Sequence, residues 1–417
     1  MSIDAALQGH LRDRGLDRAV ADLMGRAAAV PGLARRCAAA GLDPAAVDSV
    51  AALSDLPVLP KDAVIDLQRE DPPFGGLLAN GADVVRVFQS PGPLYEPQLA
   101  GDDSWRWGQV FTDLGVGPGD TVLNAFGYHL SPAGAMMEAG VLATGARVLP
   151  GGIGNQDLQV QAIADLGVTA YCGLPSYLNA LVERYDEAGL PRERWRLDRA
   201  MVTAEPLPDS LRAVLTERVG TVRMAYGTGE TGLLAYENGD GAGLVLADGV
   251  LVQVCDIATG APITDETEGE VVVTVLRPDY PLVRFGTGDL SGWMLGPDGS
   301  LRLRGVLGRE PDAAELYLAH FLGAGGARTF LSALHSDPGQ SAAGLLPQAA
   351  GANRPIFYDN GRARSVGEVM ELMRGKVARA MEGGAPPAWS YPSSTGFASA
   401  APSRSNASAS DAPPRRP

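Results

Sequence analysis

The first 80 or so residues read as helices with short breaks. Ala and Arg dominate 16–40, and Gly41-Leu42-Asp43-Pro44 marks a stop followed by a new helix start. From residue 84 the pattern changes. Val84-Val85-Arg86-Val87-Phe88 is a short β-rich run that ends at Gln89-Ser90-Pro91-Gly92-Pro93. Strand-like and helix-like segments then alternate. Strands are predicted at Thr121-Val122-Leu123-Asn124, Ala146-Arg147-Val148-Leu149 and Val168-Thr169-Ala170-Tyr171, with helices around 104–114, 132–144, 156–166 and 175–188. Such alternation predicts an α/β domain with a largely parallel sheet. Residues 244–305 are strand-rich and turn-rich, which predicts an antiparallel, barrel-like β subdomain. Residues 312–380 read as compact Ala-rich helices. The Pro/Ser/Ala-rich stretch 383–417 has too few large apolar groups to offset its ordering entropy and is expected to be disordered.

Composition narrows the function. The chain has 417 residues, 45% hydrophobic and 20% charged, which is an ordinary globular make-up with room for two or three domains. Its net charge of −15 argues against a nucleic-acid or anionic-membrane partner, since both call for a basic footprint. Three scattered cysteines, Cys37, Cys172 and Cys255, argue against a disulfide scaffold and fit a reducing compartment. The N-terminus lacks a basic region followed by an apolar run, and no stretch of about 20 apolar residues occurs, so the expected location is cytoplasmic. Only two lysines are present, Lys61 and Lys376. A mechanism that needs a catalytic lysine must use one of them.

Three segments carry chemistry. Ala225-Tyr226-Gly227-Thr228-Gly229-Glu230-Thr231-Gly232 follows a predicted strand. Its backbone N–H groups suit a phosphate, and its carboxylate suits a Mg²⁺ ion that neutralises that phosphate; the plain alternative is a Gly-rich turn. Asp289, in Phe285-Gly286-Thr287-Gly288-Asp289-Leu290, could accept from two ribose hydroxyls or merely cap its own turn. Arg309 could reach a ribose or phosphate, or be a solvated loop charge.

In this order the segments resemble the adenylate-forming superfamily, specifically its phenylacetate–CoA ligase branch. The resemblance runs over about 50–309. It includes Leu56-Pro57-Val58-Leu59-Pro60-Lys61, the Pro-Ser loop Gly173-Leu174-Pro175-Ser176, the loop Thr203-Ala204-Glu205-Pro206, Asp256-Ile257-Ala258-Thr259-Gly260 and Gly269-Glu270-Val271-Val272-Val273-Thr274. It implies an adenylation domain at 1–307 and activation of an aromatic or related carboxylic acid through an acyl-adenylate. ATP, Mg²⁺ and coenzyme A would be the small-molecule partners. It further implies that Tyr226 stacks on adenine, Ala204 and Glu205 line the adenine pocket, and Ser90, Gly92 and Gly227 contact the nucleotide. Asp289 would hold the ribose. Glu230 would ligate Mg²⁺ and act in catalysis with Thr228 and Arg309, while Tyr128 and His129 would lie beside the acid. His129 reads equally well as a core histidine.

The chain departs from that pattern in several places. The family's phosphate loop, Ser/Thr-Ser-Gly-Thr-Thr-Gly-Lys-Pro, reads Ser90-Pro91-Gly92-Pro93-Leu94-Tyr95-Glu96-Pro97 here. Only Ser90, Gly92 and Pro97 match, and Glu96 replaces the lysine, placing a carboxylate beside a triphosphate. Gly229 stands where a Ser/Thr precedes the Mg²⁺ glutamate, and Thr228 or Thr231 would have to substitute. The positions of the branch's zinc ligands read Glu237-Asn238 and Gly243-Leu244-Val245, so zinc is not expected. After Arg309 the family's mobile domain and its lysine are missing, and Lys61 lies on the wrong domain to replace it. Residues 308–382, an α-helical segment, instead resemble through 380 the C-terminal end of a bacterial lytic transglycosylase, as in a fusion. Glu315 and Glu368 are its available carboxylates. Two other readings therefore stand beside the ligase: a non-catalytic nucleotide- or acid-binding remnant, and a peptidoglycan-cleaving fragment.

Overall fold

The structure is a computed structural model. It describes residues 2–90, 94–241, 243–306 and, further on, 318, 322, 326–327, 329–331, 333–334, 339–359 and 361–382. The chain divides into two compact units, Met1–Glu310 and Pro311–Pro417. No helix among the described residues is long and apolar enough to cross a membrane.

The N-terminal stretch is helical, with α1 (Ile3–Asp13), α2 (Leu16–Met24), α3 (Pro31–Ala39), α4 (Val50–Leu53) and α5 (Lys61–Glu70). Side-chain caps start two of them: Ala5 N donates to Ser2 Oγ and Ala52 N to Ser49 Oγ. Leu16, Val20, Leu23, Leu33, Val50 and Leu53 bury one face of this lobe together with Leu251 and Val283. Leu251 lies in, and Val283 just before a strand of, a four-stranded sheet ordered β1 (Leu59–Pro60), β13 (Phe285–Ser291), β12 (Gly269–Val275), β11 (Val250–Cys255).

A second, nine-stranded sheet forms the body of the first unit. Its parallel part comprises β5 (Arg147–Pro150), β4 (Thr121–Asn124), β6 (Ala170–Gly173), β7 (Arg199–Val202) and β8 (Thr221–Thr228). All four residues of β4 and of β6 are buried, as expected of parallel strands covered on both faces. Alternate side chains feed two cores. Val122, Cys172 and Met201 join Val110, Phe111 and Val141 on one face, while Leu123, Tyr171 and Ala200 join Ile163, Leu181 and Leu215 on the other. Helix α6 (Gly108–Asp113) leads into β4, and α7 (Ala133–Ala143), α8 (Gln156–Leu166), α9 (Pro175–Glu187) and α10 (Asp209–Val219) connect these strands in turn.

The sheet changes direction at β8. Its first half pairs parallel with β7, and its second half pairs antiparallel with β9 (Gly232–Tyr236). β10 (Leu244–Leu246), β15 (Leu301–Leu303) and β14 (Trp293–Leu295) extend the same edge. The strand-rich stretch expected as one barrel-like subdomain is therefore divided. β10, β14 and β15 continue the large sheet because β9 folds back on β8, and β11–β13 form the smaller sheet with β1. A separate antiparallel pair, β2 (Val84–Ser90) with β3 (Leu94–Leu99), carries the described phosphate-loop positions, Ser90 and Leu94 to Pro97.

In the second unit the described residues form helices at Ala342–Leu345, Pro347–Ala352, Arg354–Phe357 and Val366–Glu382 around a core that includes Phe330, Phe357, Val366 and Met370. They also contain a two-stranded ladder, Tyr358–Asp359 with Arg362–Ala363, where only helix was expected. Residues 383–417, expected to be disordered, lie outside the described residues.

Candidate active site

The site is built at the carboxyl ends of neighbouring parallel strands, where ligands enter open α/β sheets. β4 ends at Asn124 before Tyr128, β6 at Gly173 before Ser176, and β7 at Val202 before Ala204 and Glu205. β8 ends at Thr228 before Glu230. Because these four strands are adjacent in the order β8-β7-β6-β4, the predicted loops share one edge of the sheet.

Tyr226 and Asp289, predicted for base and ribose, meet. The Tyr226 hydroxyl lies 2.9 Å from Asp289 Oδ2 and 3.2 Å from Thr287 Oγ1. The ring is buried, with 7% of the residue exposed, so adenine would have little of it to stack on. Burial and the nearby Asp289 charge hold its hydroxyl neutral, well above the usual tyrosine range. Asp289 reaches this position through a bulge. Glu270 pairs with Leu290 and Val272 with Gly286, so the single residue Val271 faces Thr287, Gly288 and Asp289. The bulge is tied down by the Thr287 hydroxyl donating to Val271 O at 2.9 Å and by Gly288 N donating to Glu270 Oε1 at 3.0 Å. Thr287 was read only as part of the motif before Asp289 and had no role assigned; its place two residues before Asp289 was its only sequence signal.

The Gly-rich segment is a hairpin connection. Thr228 pairs with Gly232, leaving Gly229, Glu230 and Thr231 in the loop. Gly232 has φ +77°, which a side chain would strain. Gly227 must also lack a side chain, since a Cβ there would lie 2.4 Å from Gly232 O. The Thr228 and Thr231 hydroxyls are 2.9 Å apart and bond each other. Thr231 is buried, so of the two only Thr228 is partly exposed to a phosphate.

Glu230 is buried, and one of its oxygens pairs with Lys61 Nζ at 2.7 Å. This corrects the placement of Lys61 away from the site. β1 pairs in parallel with the start of β13, Leu59 with Phe285 and Pro60 with Gly286, and Lys61 is the next residue, at the first position of α5. Gln68, further along α5, donates to Tyr95 O at 2.7 Å and accepts from Tyr95 N at 2.9 Å, tying the helix to β3. The other Glu230 oxygen, Oε2, is buried without a hydrogen-bond partner. An orphaned hard-oxygen donor suits Mg²⁺, so the residues fit that ion.

Glu96 is not an open charge beside the phosphate loop. It is buried and accepts from Ser90 Oγ at 2.6 Å. Burial, and then the charge of Glu230, push its carboxyl up to about 7, against the opposing pull of Ser90 and Lys61.

Glu205 accepts from Ser176 Oγ at 2.6 Å and from Ser176 N at 3.3 Å, joining the Ala204–Glu205 loop to the start of α9. Ala204 is exposed and has φ +68°, a sparsely populated conformation of the kind that gathers at functional sites. Asn124, unanticipated and fully buried, donates to the Tyr128 hydroxyl at 2.7 Å and to Gly134 O at 2.8 Å. It thereby fixes Tyr128 at the end of β4. Burial and Glu138 raise the Tyr128 hydroxyl above the usual tyrosine range. His129 is exposed, which removes the core-histidine reading. Glu237, at a former zinc-ligand position, is held by Arg212 at 2.6 and 2.8 Å. Gly92 and Arg309 lie outside the described residues.

Known proteins bear on this geometry. A family model described as AMP-binding enzyme matches residues 103–275. The phenylacetate-coenzyme A ligase of Thermus thermophilus is 30% identical over 295 residues, 67% of this chain and 64% of that protein. The protein of the same name from Escherichia coli is 28% identical over 299 residues, 68% of this chain and 67% of that protein. The chain thus spans 64% to 67% of the length of these two relatives. An open conformation of 2-hydroxyisobutyryl-CoA ligase, in complex with 2-HIB-AMP and CoA, shares the fold with a TM-score of 0.67 at 22% identity, over 74% of this chain and 80% of that one. Motif order, family match and fold agree: residues 103–275 match the AMP-binding enzyme family, and the chain is similar to phenylacetate-coenzyme A ligases.

Proposed function

We propose that the protein activates an aromatic or related carboxylic acid as an acyl-adenylate and transfers the acyl group to coenzyme A. The observation that carries this reading is the 2.9 Å contact between Tyr226 and Asp289, which brings a strand of each sheet together at the carboxyl-end edge. In the first step a carboxylate oxygen of the acid attacks the α-phosphorus of ATP, and pyrophosphate leaves. In the second the thiol attacks the acyl carbonyl, and AMP leaves. The protein's part is positioning and charge placement. Asp289 orients the ribose and its hydrogen bond fixes the Tyr226 side chain. Glu230 would hold Mg²⁺, which supplies charge neutralisation at the phosphates. Thr228 offers a hydroxyl near the loop, and the Asn124-fixed Tyr128 faces the acid. Arg309 and Gly92 would complete the nucleotide contacts.

A second reading, a nucleotide-binding remnant, is favoured by Glu96 in place of the loop lysine. Lys376 is exposed on the helix Val366–Glu382. A lytic transglycosylase reading of the second unit gains no acid catalyst from Glu368. Hydrogen bonds from Arg362, and from Ser365 N, hold that carboxyl at about 2, so it stays ionised and has no proton to give. Glu315 lies outside the described residues.

Incubated with ATP, Mg²⁺, coenzyme A and a panel of aryl acids, the full chain is expected to consume free thiol with at least one acid. Intact nucleotide binding with no thiol loss for any acid would leave the remnant reading in its place.

A further inference from the structure

Two departures from the family pattern meet in space. Glu96 stands where the family has a lysine, and Gly229 where it has a Ser/Thr. A Cβ on Gly229 would lie 2.6 Å from Glu96 Oε1 and 3.2 Å from its Cδ. The Glu96 carboxyl therefore fills the room that a side chain at 229 would need, and the two changes depend on each other. Only 4% of Glu96 is exposed, so its carboxyl has little freedom to move aside. Its Oε2 accepts from Ser90 Oγ.

The residue after Gly229 is Glu230, 6% exposed, with Oε1 on Lys61 and Oε2 unpartnered. Lys61 pairs with Glu230 and makes no ion pair with Glu96, so one ammonium stands against two buried carboxylates. The nearby arginines are committed elsewhere: Arg277 binds Asp279 at 2.6 and 3.0 Å, and Arg106 donates to the carbonyls of Thr231 and Leu233. With both carboxylates ionised the cluster is one positive charge short. Buried charge without compensation is costly. Oxygen-only donors with a deficit of one charge fit a hard divalent cation, and a lysine at position 96 would not.

We propose that Glu96 is a second carboxylate ligand, alongside Glu230, for a divalent cation of the Mg²⁺ or Mn²⁺ type that replaces the charge of the lost loop lysine. The cation's task at the phosphates rests on the adenylation reading, but its binding to the two carboxylates does not. Lys61 holds Glu230 Oε1 and leaves Oε2 to the cation, so its ammonium opposes the ion by charge and not by occupying its ligand atom.

The test is titration of the full chain with Mn²⁺ alone at pH 8, without nucleotide, following the loss of free Mn²⁺ signal by electron paramagnetic resonance. Wild type is expected to bind one ion. Glu96→Gln should weaken it roughly tenfold or more, since one charged ligand is gone. The double change Glu96→Lys with Gly229→Ser, which restores the family pattern, should abolish binding of the ion alone. Lys61→Met should tighten it by removing the opposing charge, an effect that a merely structural role for Lys61 would not produce. No binding by wild type, unchanged affinity in Glu96→Gln, or weaker binding in Lys61→Met would overturn the proposal. Mn²⁺ binding without thioester formation would keep the metal site and sink the ligase reading.

Discussion

Replacing Asp289 with alanine should weaken ATP and AMP binding by about 2–3 kcal/mol, roughly 30- to 150-fold, through loss of charge-assisted hydrogen bonds to two ribose hydroxyls. The fold should survive the change. The Tyr226 hydroxyl keeps Thr287 as a partner, and the bulge keeps the Thr287–Val271 and Gly288–Glu270 hydrogen bonds. Calorimetry with ATP and with 2′,3′-dideoxy-ATP separates the ribose from the rest of the nucleotide. Wild type should lose most of its affinity on going to the dideoxy compound, whereas Asp289→Ala should barely distinguish the two. Equal sensitivity in both proteins would place the ribose elsewhere.

Glu96→Gln should stabilise the metal-free protein at high pH. The sign follows from the proton balance. The folded-state carboxyl titrates at about 7, above its unfolded value of 4.5, so the folded state binds more protons between those limits. Stability attributable to this group is present below pH 4.5 and lost as the pH rises through 7. The full loss is about 3 kcal/mol, from roughly 2.5 pH units at 1.36 kcal/mol each. Glutamine keeps the shape and can still accept from Ser90, but it cannot ionise. In chelator-treated buffer the variant should gain up to about 3 kcal/mol over wild type at pH 8 and almost nothing at pH 4.5. Denaturant titrations at both pH values check this, and a gap independent of pH would show that Glu96 does not ionise against its surroundings.

The parallel core was legible because its strands are short, apolar and unalternating. Thr121–Asn124 was predicted and found with the same limits, as was the helix at 156–166. Boundaries slipped where the apolar run does not end with the strand, as at Arg147–Pro150, whose outer residues are exposed. The barrel expectation came from counting antiparallel strands. Which sheet each strand joins depends on how β9 turns back on β8, and that is not a local property. Tyr226, Glu230 and Asp289 were singled out from contiguous motifs, and Tyr226 and Asp289 are in contact. Lys61 was not, since 169 positions separate it from Glu230 and only the pairing of β1 with β13 brings it there. Glu96 and Gly229 each looked like a defect when read alone; only their contact shows that they accommodate each other. Asn124 looked like a strand end, and its hold on Tyr128 needs the loop folded back over it.

The adenylation claim is tested most directly by exchange of labelled pyrophosphate into ATP by the full chain, measured with each aryl acid in turn and with Asp289→Ala as control. Exchange that requires both protein and acid, and falls with Asp289→Ala, is the predicted result. Bound ATP that exchanges no pyrophosphate with any acid, or exchange indifferent to Asp289→Ala, would contradict it.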